Sequence, residues 1–315
     1  MMIHDYTWQK KGKVFKPEHE APWWSSNAMA PAPVMYGNDT IRVYVGAWDE
    51  NGISRIGYID VDADDPLKVR NISRECVVDI GRDGCFDDNG VFPGHAFKHP
   101  DGRVFLYYTG FQQLHKIAFS NFSGLAVSTD GGDTFRKVSE APVMDRADEG
   151  LYTRAGVSAI YEDGRFKCCY SVGSGWYTIA GKERPVYEVN YIESADGIHF
   201  GAKGESAVRV DLSREHGLGR PQIVSLRGET FVFYTRRTLD FKYSMGCARF
   251  SNGTWERCDE WLSSVRHGAP GEFDSEMVYF PAVIDTGRKI FLFYVGNGYG
   301  KEGFGCAELI RTETR

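Results

Sequence analysis

Five short segments of this chain combine aromatic rings with carboxylates, arginines and histidines. The first is Trp23-Trp24-Ser25-Ser26-Asn27. The second runs from Phe86 to His95 and includes Asp87, Asp88 and Asn89. The third is Tyr152-Thr153-Arg154, to which a long insertion adds Trp176, Tyr177, Tyr187 and Glu188. The fourth holds His216 and Arg220, and the fifth Asp274, Glu276 and Tyr279. Rings of this kind suit the C–H-rich faces of sugars, and carboxylate and guanidinium groups pair with hydroxyls. Two carboxylates flanking a glycosidic bond can cleave it, one as acid and one as base or nucleophile. On this reading Asp88, Glu188, Asp274 and Glu276 are the catalytic candidates. Asn27, His95, Arg154, His216, Arg220 and Tyr279 would bind or polarise the ligand, with Trp24 and Trp176 as walls. Arg154 and Arg220 also suit an anionic group such as phosphate or carboxylate.

Each candidate has a plain structural alternative. Asp87 or Asp88 can shape the turn before a strand, and Arg154 can pair with Glu149 or Asp148. Glu188 can be a solvated strand residue and His216 a loop histidine. Asp274 and Glu276 alternate along an extended run and so share a face, either as a pair or as exposed charges. No paired Cys/His spacing indicates a metal, and no cofactor is expected.

The elements that must position these residues repeat. An apolar strand ending in Tyr or Phe and a small residue recurs five times: Ile41 to Gly46, Val104 to Gly110, Phe166 to Ser171, Phe231 to Thr235 and Ile290 to Gly296. Turn signals precede the copies, among them Asp101-Gly102 and Asp163-Gly164, where glycine supplies positive φ for a hairpin. Another short strand lies before each turn and a third strand follows each copy. Fourth strands are plain after Ser128-Thr129-Asp130-Gly131 and Ser194-Ala195-Asp196-Gly197. The fold expected is all-β: a five-bladed β-propeller of four antiparallel strands per blade, residues 1–315 forming one domain. The last copy lacks a clear fourth strand, so Tyr6 to Phe15 is expected to supply it and close the ring. A β-sandwich would not give five equivalent units. In a propeller the first strand of each blade lines the axial channel, and the five segments above stand at the starts of those strands.

The charge is -6 with a pI of about 5.8, and Lys and Arg are scattered. A nucleic-acid groove needs a basic footprint, so that partner is not expected. No apolar run approaches the length of a membrane span, so no membrane insertion is expected. Met1 to Pro17 has no apolar signal segment, and seven cysteines without framework spacing suit buried thiols. A cytoplasmic location is expected.

Phe86 to Val91, Leu106 to Gly110, Gly124 to Ser128 and Tyr191 to Phe200 resemble the superfamily of five-bladed glycoside hydrolase propellers that includes families 32, 43, 62, 68 and 130. The likeness is nearest to members found among bacterial surface-polysaccharide and glycoconjugate genes, which are similar to the N-terminal propeller of plant glucosamine inositolphosphorylceramide transferase. The Ser128 turn resembles the Asp-box of sialidases, a structural hairpin. The resemblance implies a carbohydrate ligand and an Asp at the start of blade one, where this chain reads Trp24-Ser25-Ser26-Asn27-Ala28. It places Asp88 as the acid-tuning Asp of blade two. In blade four His216 and Arg220 stand where it implies a Glu acid. Three functions follow as expectations. The first is an enzyme, hydrolase-like or glycosyl-transferring, on a small or nucleotide- or phosphate-linked sugar in the axial funnel. The second is a non-catalytic sugar-recognition module in surface-glycan biosynthesis. The third is a lyase or cyclase on a sugar-derived intermediate.

Overall fold

The computed structural model describes residues 5–179 and 181–312, and its regular structure is almost wholly β. β1 (Tyr6–Phe15) comes first. β2 (Ser26–Tyr36), β3 (Thr40–Trp48), β4 (Ser54–Asp62) and β5 (Val69–Ile72) form an antiparallel run. So do β6 (Val91–Lys98), β7 (Val104–Gln113), β8 (Phe119–Ser128) and β9 (Arg136–Lys137). The next run is β10 (Thr153–Glu162), β11 (Arg165–Ile179), β12 (Lys182–Ser194) and β13 (Glu205–Val208). It is followed by β14 (Glu215–Leu226), β15 (Glu229–Thr238), β16 (Ser244–Ser251) and β17 (Thr254–Arg257). β18 (Tyr279–Asp285), β19 (Ile290–Val295) and β20 (Phe304–Arg311) take β1 as their fourth member, antiparallel to β20. Short parallel pairings of β8 with β10 and β12 with β14 join the middle runs into one sheet.

The turn chemistry sets the strand limits. Asp163-Gly164, Arg227-Gly228 and Asn252-Gly253 all have positive φ at both residues, which matches the twist of the hairpins they close. In the Asp-box turn, Asp130 Oδ1 accepts the Asp133 and Thr134 N–H groups at 3.1 and 3.0 Å. Asp196 accepts those of Ile198 and His199 in the same way, both at 2.9 Å. Both turns are structural.

Strand alternation sends side chains into separate apolar clusters on the two faces of a run. Ile41, Val43 and Val45 of β3 join Phe291, Phe293 and Val295 of β19, while Tyr44 joins Leu106 and Tyr108 of β7. Cys168 and Cys169 are divided likewise. Both faces being covered explains why these strands read as nearly continuous apolar runs.

The first strand of each run lies against the next: β2 on β6, β6 on β10, β10 on β14, β14 on β18, and β18 on β2. Each carries a register irregularity near its middle. There Ala30, Gly156, Arg220 and Phe280 adopt positive φ. A left-handed residue costs about 1–2 kcal/mol unless it is glycine, so Arg220 and Phe280 need support. The small residue after the repeated tyrosine provides it. Thr109 Oγ1, Ser171 Oγ and Thr235 Oγ1 accept the Gly156, Arg220 and Phe280 N–H groups at 3.1, 3.0 and 2.9 Å.

Candidate functional site

The repeated tyrosines also account for four of the acids. Tyr108 donates to Asp87 at 3.1 Å, Tyr294 to Asp274 at 3.0 Å and Tyr234 to Asp259 at 2.7 Å, and Tyr170 donates to Glu149. A base completes each set: Lys137 on Asp87 and Lys10 on Asp274, both at 2.6 Å, Arg154 on Glu149 at 2.9 Å and Arg257 on Asp259 at 2.6 Å. These acids tie one strand to the next. Glu215 is fully buried between Arg236 and Arg257 at 2.6 and 2.7 Å. Burial alone would raise its pKa, but the two arginines reverse this and hold it low.

Of the four carboxylates expected to be catalytic, three have partners within the protein. Asp274 is one of the strand ties. Glu188 pairs with Arg209. Asp88 accepts the Gly84 N–H at 2.9 Å and shapes the turn before β6. Glu276 is exposed, its N–H donating to Asn297 Oδ1 at 2.8 Å.

Five of the expected ligand-binding residues are engaged by the protein itself. Arg154 donates to Glu149 and to the Asp145 and Gly201 carbonyls, both at 2.8 Å. Trp24 is fully buried against Phe15 and Trp23. Asn27 Nδ2 donates to the Gly298 and Tyr299 carbonyls at 3.1 and 2.9 Å, which fixes the loop Asn297–Gly300 that carries Tyr299. Arg220, thrown inward by its positive φ, donates to Pro93 on β6, Phe280 and Pro281 on β18, and Ala30 and Pro31 on β2. Burial lowers its pKa to about 9, so it stays charged at neutral pH. His95 lies near that charge and accepts the Ala159 N–H at 3.3 Å. Burial first, and Arg220 second, lower its pKa to about 3, so it is neutral.

A different cluster stands where β12, β14, β15 and β18 meet. Register puts Tyr187 of β12 and Arg237 of β15 on either side of Gly217 in β14. A Cβ at Gly217 would come within 3.1 Å of Tyr187 and 3.3 Å of Arg237, so glycine admits both. The Arg237 guanidinium lies 4.9 Å from the Tyr187 ring and 5.5 Å from that of Tyr243. Arg184 lies 5.1 Å from the Phe241 ring. Tyr279 stands 5.8 Å from Tyr243 and 5.9 Å from Tyr299. His216 Nδ1 is 3.4 Å from the Pro185 carbonyl. A carbonyl only accepts, so Nδ1 carries the proton and Nε2 keeps its lone pair. Burial first, then the Arg237 and Arg184 charges, depress the His216 pKa.

Three buried polar atoms here have no hydrogen-bond partner among the described residues: Arg184 Nε, His216 Nε2 and Tyr279 Oη. His216 and Tyr279 are each 1% exposed. Such orphaned atoms are uncommon and call for a reason. Trp176 extends the ring-rich surface, 5.2 Å from Tyr152, which is 6.5 Å from Tyr187. His216, Tyr279 and Trp176 of this cluster were candidates in the sequence, while Arg184, Arg237, Tyr243 and Tyr299 were not. For Arg237 the signal was the hairpin itself: the end of the second strand, β15, lies beside the start of the first, β14, where Arg237 pairs with Gly217.

A surface cleft of about 750 Å³ lies elsewhere, lined by Arg82, Phe86, Glu140 and Arg146 among others. Arg82 and Glu140 neutralise each other there at 3.0 Å. Among the described residues no three His, Cys, Asp or Glu side chains converge as metal ligands, and no helix is long and apolar enough to cross a membrane.

The model of the glycosyl hydrolases family 32 N-terminal domain matches residues 75–200. The uncharacterized protein Rv1502 of Mycobacterium tuberculosis is 30% identical over 305 residues, covering 96% of this chain and 99% of that protein. Among solved structures, a glycosyl hydrolase from Bacteroides ovatus superposes with a TM-score of 0.71 at 16% identity, over 98% of this chain and 96% of its own. A structure described under the GH130 family of mannoside phosphorylases, containing glycoside hydrolases that target β-1,2 mannosidic linkages, superposes at 0.69 with 15% identity, over 98% and 94%. At such identities the likeness is one of fold.

Proposed function

The chain belongs to the glycoside hydrolase propeller superfamily, in one family with the mycobacterial protein Rv1502, and from there we propose that it is a carbohydrate-active enzyme holding its glycosyl substrate at the Arg184–His216–Arg237–Tyr279 cluster. We read the chain as a single five-bladed propeller domain. The cyclic order of first-strand contacts and the β1–β20 pairing support that reading. The cluster then lies at the axial funnel. Six buried free thiols support a reducing compartment such as the cytoplasm.

One observation carries the functional reading: three orphaned buried polar atoms stand among aromatic rings. Rings with a few convergent polar groups are the usual make-up of a small-molecule site, and sugars need both. The chemistry is glycosyl transfer that does not rely on two carboxylates, since the candidate acids serve as strand ties, turn formers or surface charges. The His216 Nε2 lone pair is the proton acceptor available in the cluster. A second reading, a sugar-recognition module without turnover, is favoured by the same engaged acids.

Thermal-shift screening of the protein and its His216→Ala variant against neutral monosaccharides, sugar phosphates and nucleotide sugars tests this. Stabilisation by one class, lost in the variant, is expected. No shift with any class at millimolar ligand would overturn it. Chromatographic detection of product from the stabilising ligand then separates enzyme from recognition module.

A further inference from the structure

The carbohydrate reading above is the footing for a narrower inference about the substrate. Arginines elsewhere in the interior are neutralised: Arg42 by Asp60, Arg154 by Glu149, Arg257 by Glu215. Arg220 has no acid but donates to five carbonyls. Arg184 and Arg237 differ from all of these. Among the described residues neither forms an ion pair, and each guanidinium rests over aromatic rings. A ring engages the face of a guanidinium and leaves its edge N–H groups for another partner. The ring beneath Arg184, Phe241, lies 6.1 Å from His216, and the Tyr243 ring beside Arg237 lies 6.4 Å from it, so the two guanidinium groups flank one histidine. Two positive charges held together in a ring-lined site, with no protein anion, are compensated only when a ligand supplies one.

We propose that Arg184 and Arg237 form an anion subsite for the phosphate of a phosphorylated sugar, one of whose hydroxyls donates to His216 Nε2. Phosphate fits better than carboxylate because of where the arginines come from. A carboxylate is satisfied by the fork of one arginine. Here two guanidinium groups arrive from β12 and β15, on either side of β14, and a phosphate has three oxygens to share between them. A hexose phosphate and a nucleoside diphosphate hexose both offer this chemistry.

Calorimetric titration of the protein and of Arg184→Gln and Arg237→Gln tests the inference, with hexose 1-phosphates, nucleoside diphosphate hexoses, neutral hexoses and a hexuronate as ligands. Phosphate-bearing sugars are expected to bind at least about tenfold tighter than neutral ones. Each variant should lose about that factor for the phosphate-bearing sugars, with unchanged circular dichroism. Inorganic phosphate should compete with the phosphorylated sugar on the unmodified protein, a readout that needs no variant to fold. Binding of a nucleoside diphosphate hexose and not of hexose 1-phosphates would support the subsite and name its source. Equal affinity for neutral hexose, preference for the hexuronate, or no competition by phosphate would each overturn the inference while leaving the carbohydrate reading intact. Silence from every sugar would overturn both.

Discussion

Arg220 and Arg237 sit on the two strands of one hairpin and have opposite surroundings. Arg220 is enclosed, with its N–H groups directed to carbonyls on three other first strands. The Arg237 guanidinium rests against rings and forms no ion pair among the described residues. The same side chain serves the fold in one place and is left for a ligand a short distance away. Residue type does not separate these cases; the count of committed partners does. The acids teach the same lesson, since three of the four that looked catalytic are bound to a tyrosine, a lysine, an arginine or backbone.

The comparison is broken or sharpened first by stability. Arg220→Met strands several buried carbonyls at the centre and is expected to cost about 3–5 kcal/mol in urea denaturation. A loss below about 1 kcal/mol would mean that Arg220 is no tie. Asp274→Asn leaves Lys10 without its acid and weakens the Tyr294 contact. About 2–3 kcal/mol is expected there, with ligand affinity unchanged. A selective loss of turnover without loss of stability would instead return Asp274 to the chemistry.

The pH dependence follows from the histidines. His95 has a folded pKa near 3 against an ordinary 6.5, so the unfolded chain binds the extra proton between those values. Stability is therefore full above 6.5 and falls as pH drops towards 3, by up to about 1.4 kcal/mol per pH unit. His216 is shifted in the same direction. Denaturation midpoints at pH 7 and pH 5 should show the slope, and His95→Gln should flatten it. The smallest effect is expected at Arg237: its change to Gln removes ring contacts but breaks no ion pair, about 1 kcal/mol or less in the melting curve. A larger loss would make Arg237 a second structural arginine and remove the contrast.

Much of the fold was legible because its signals are local. Asp-Gly turns, the tyrosine-ending strands and the two Asp-boxes each act within a few residues, and the hairpins obey them. The small residue after the tyrosine was visible as a pattern, but its hydroxyl acts on the following run. The site was less legible because partners decide it, and they are distant. Arg220 bonds carbonyls 61, 127 and 190 residues away. No window on the sequence contains those oxygens, so Arg154, Arg220 and Arg237 look alike until the chain is folded. His216 and Tyr279 were candidates in the sequence because they stand at strand starts. Arg237 was missed because strand ends arrive at the same place.

The central claim is that a sugar ligand meets His216 and not His95, the other histidine buried among the described residues. Nitrogen NMR of histidine-labelled protein, titrated with hexose 1-phosphates and nucleoside diphosphate hexoses, tests it directly. The account predicts a protonated Nδ1 and a bare Nε2 at His216 in the free protein, with the Nε2 signal moving on ligand addition while His95 stays still. Saturable binding that leaves both His216 nitrogens unmoved would contradict it.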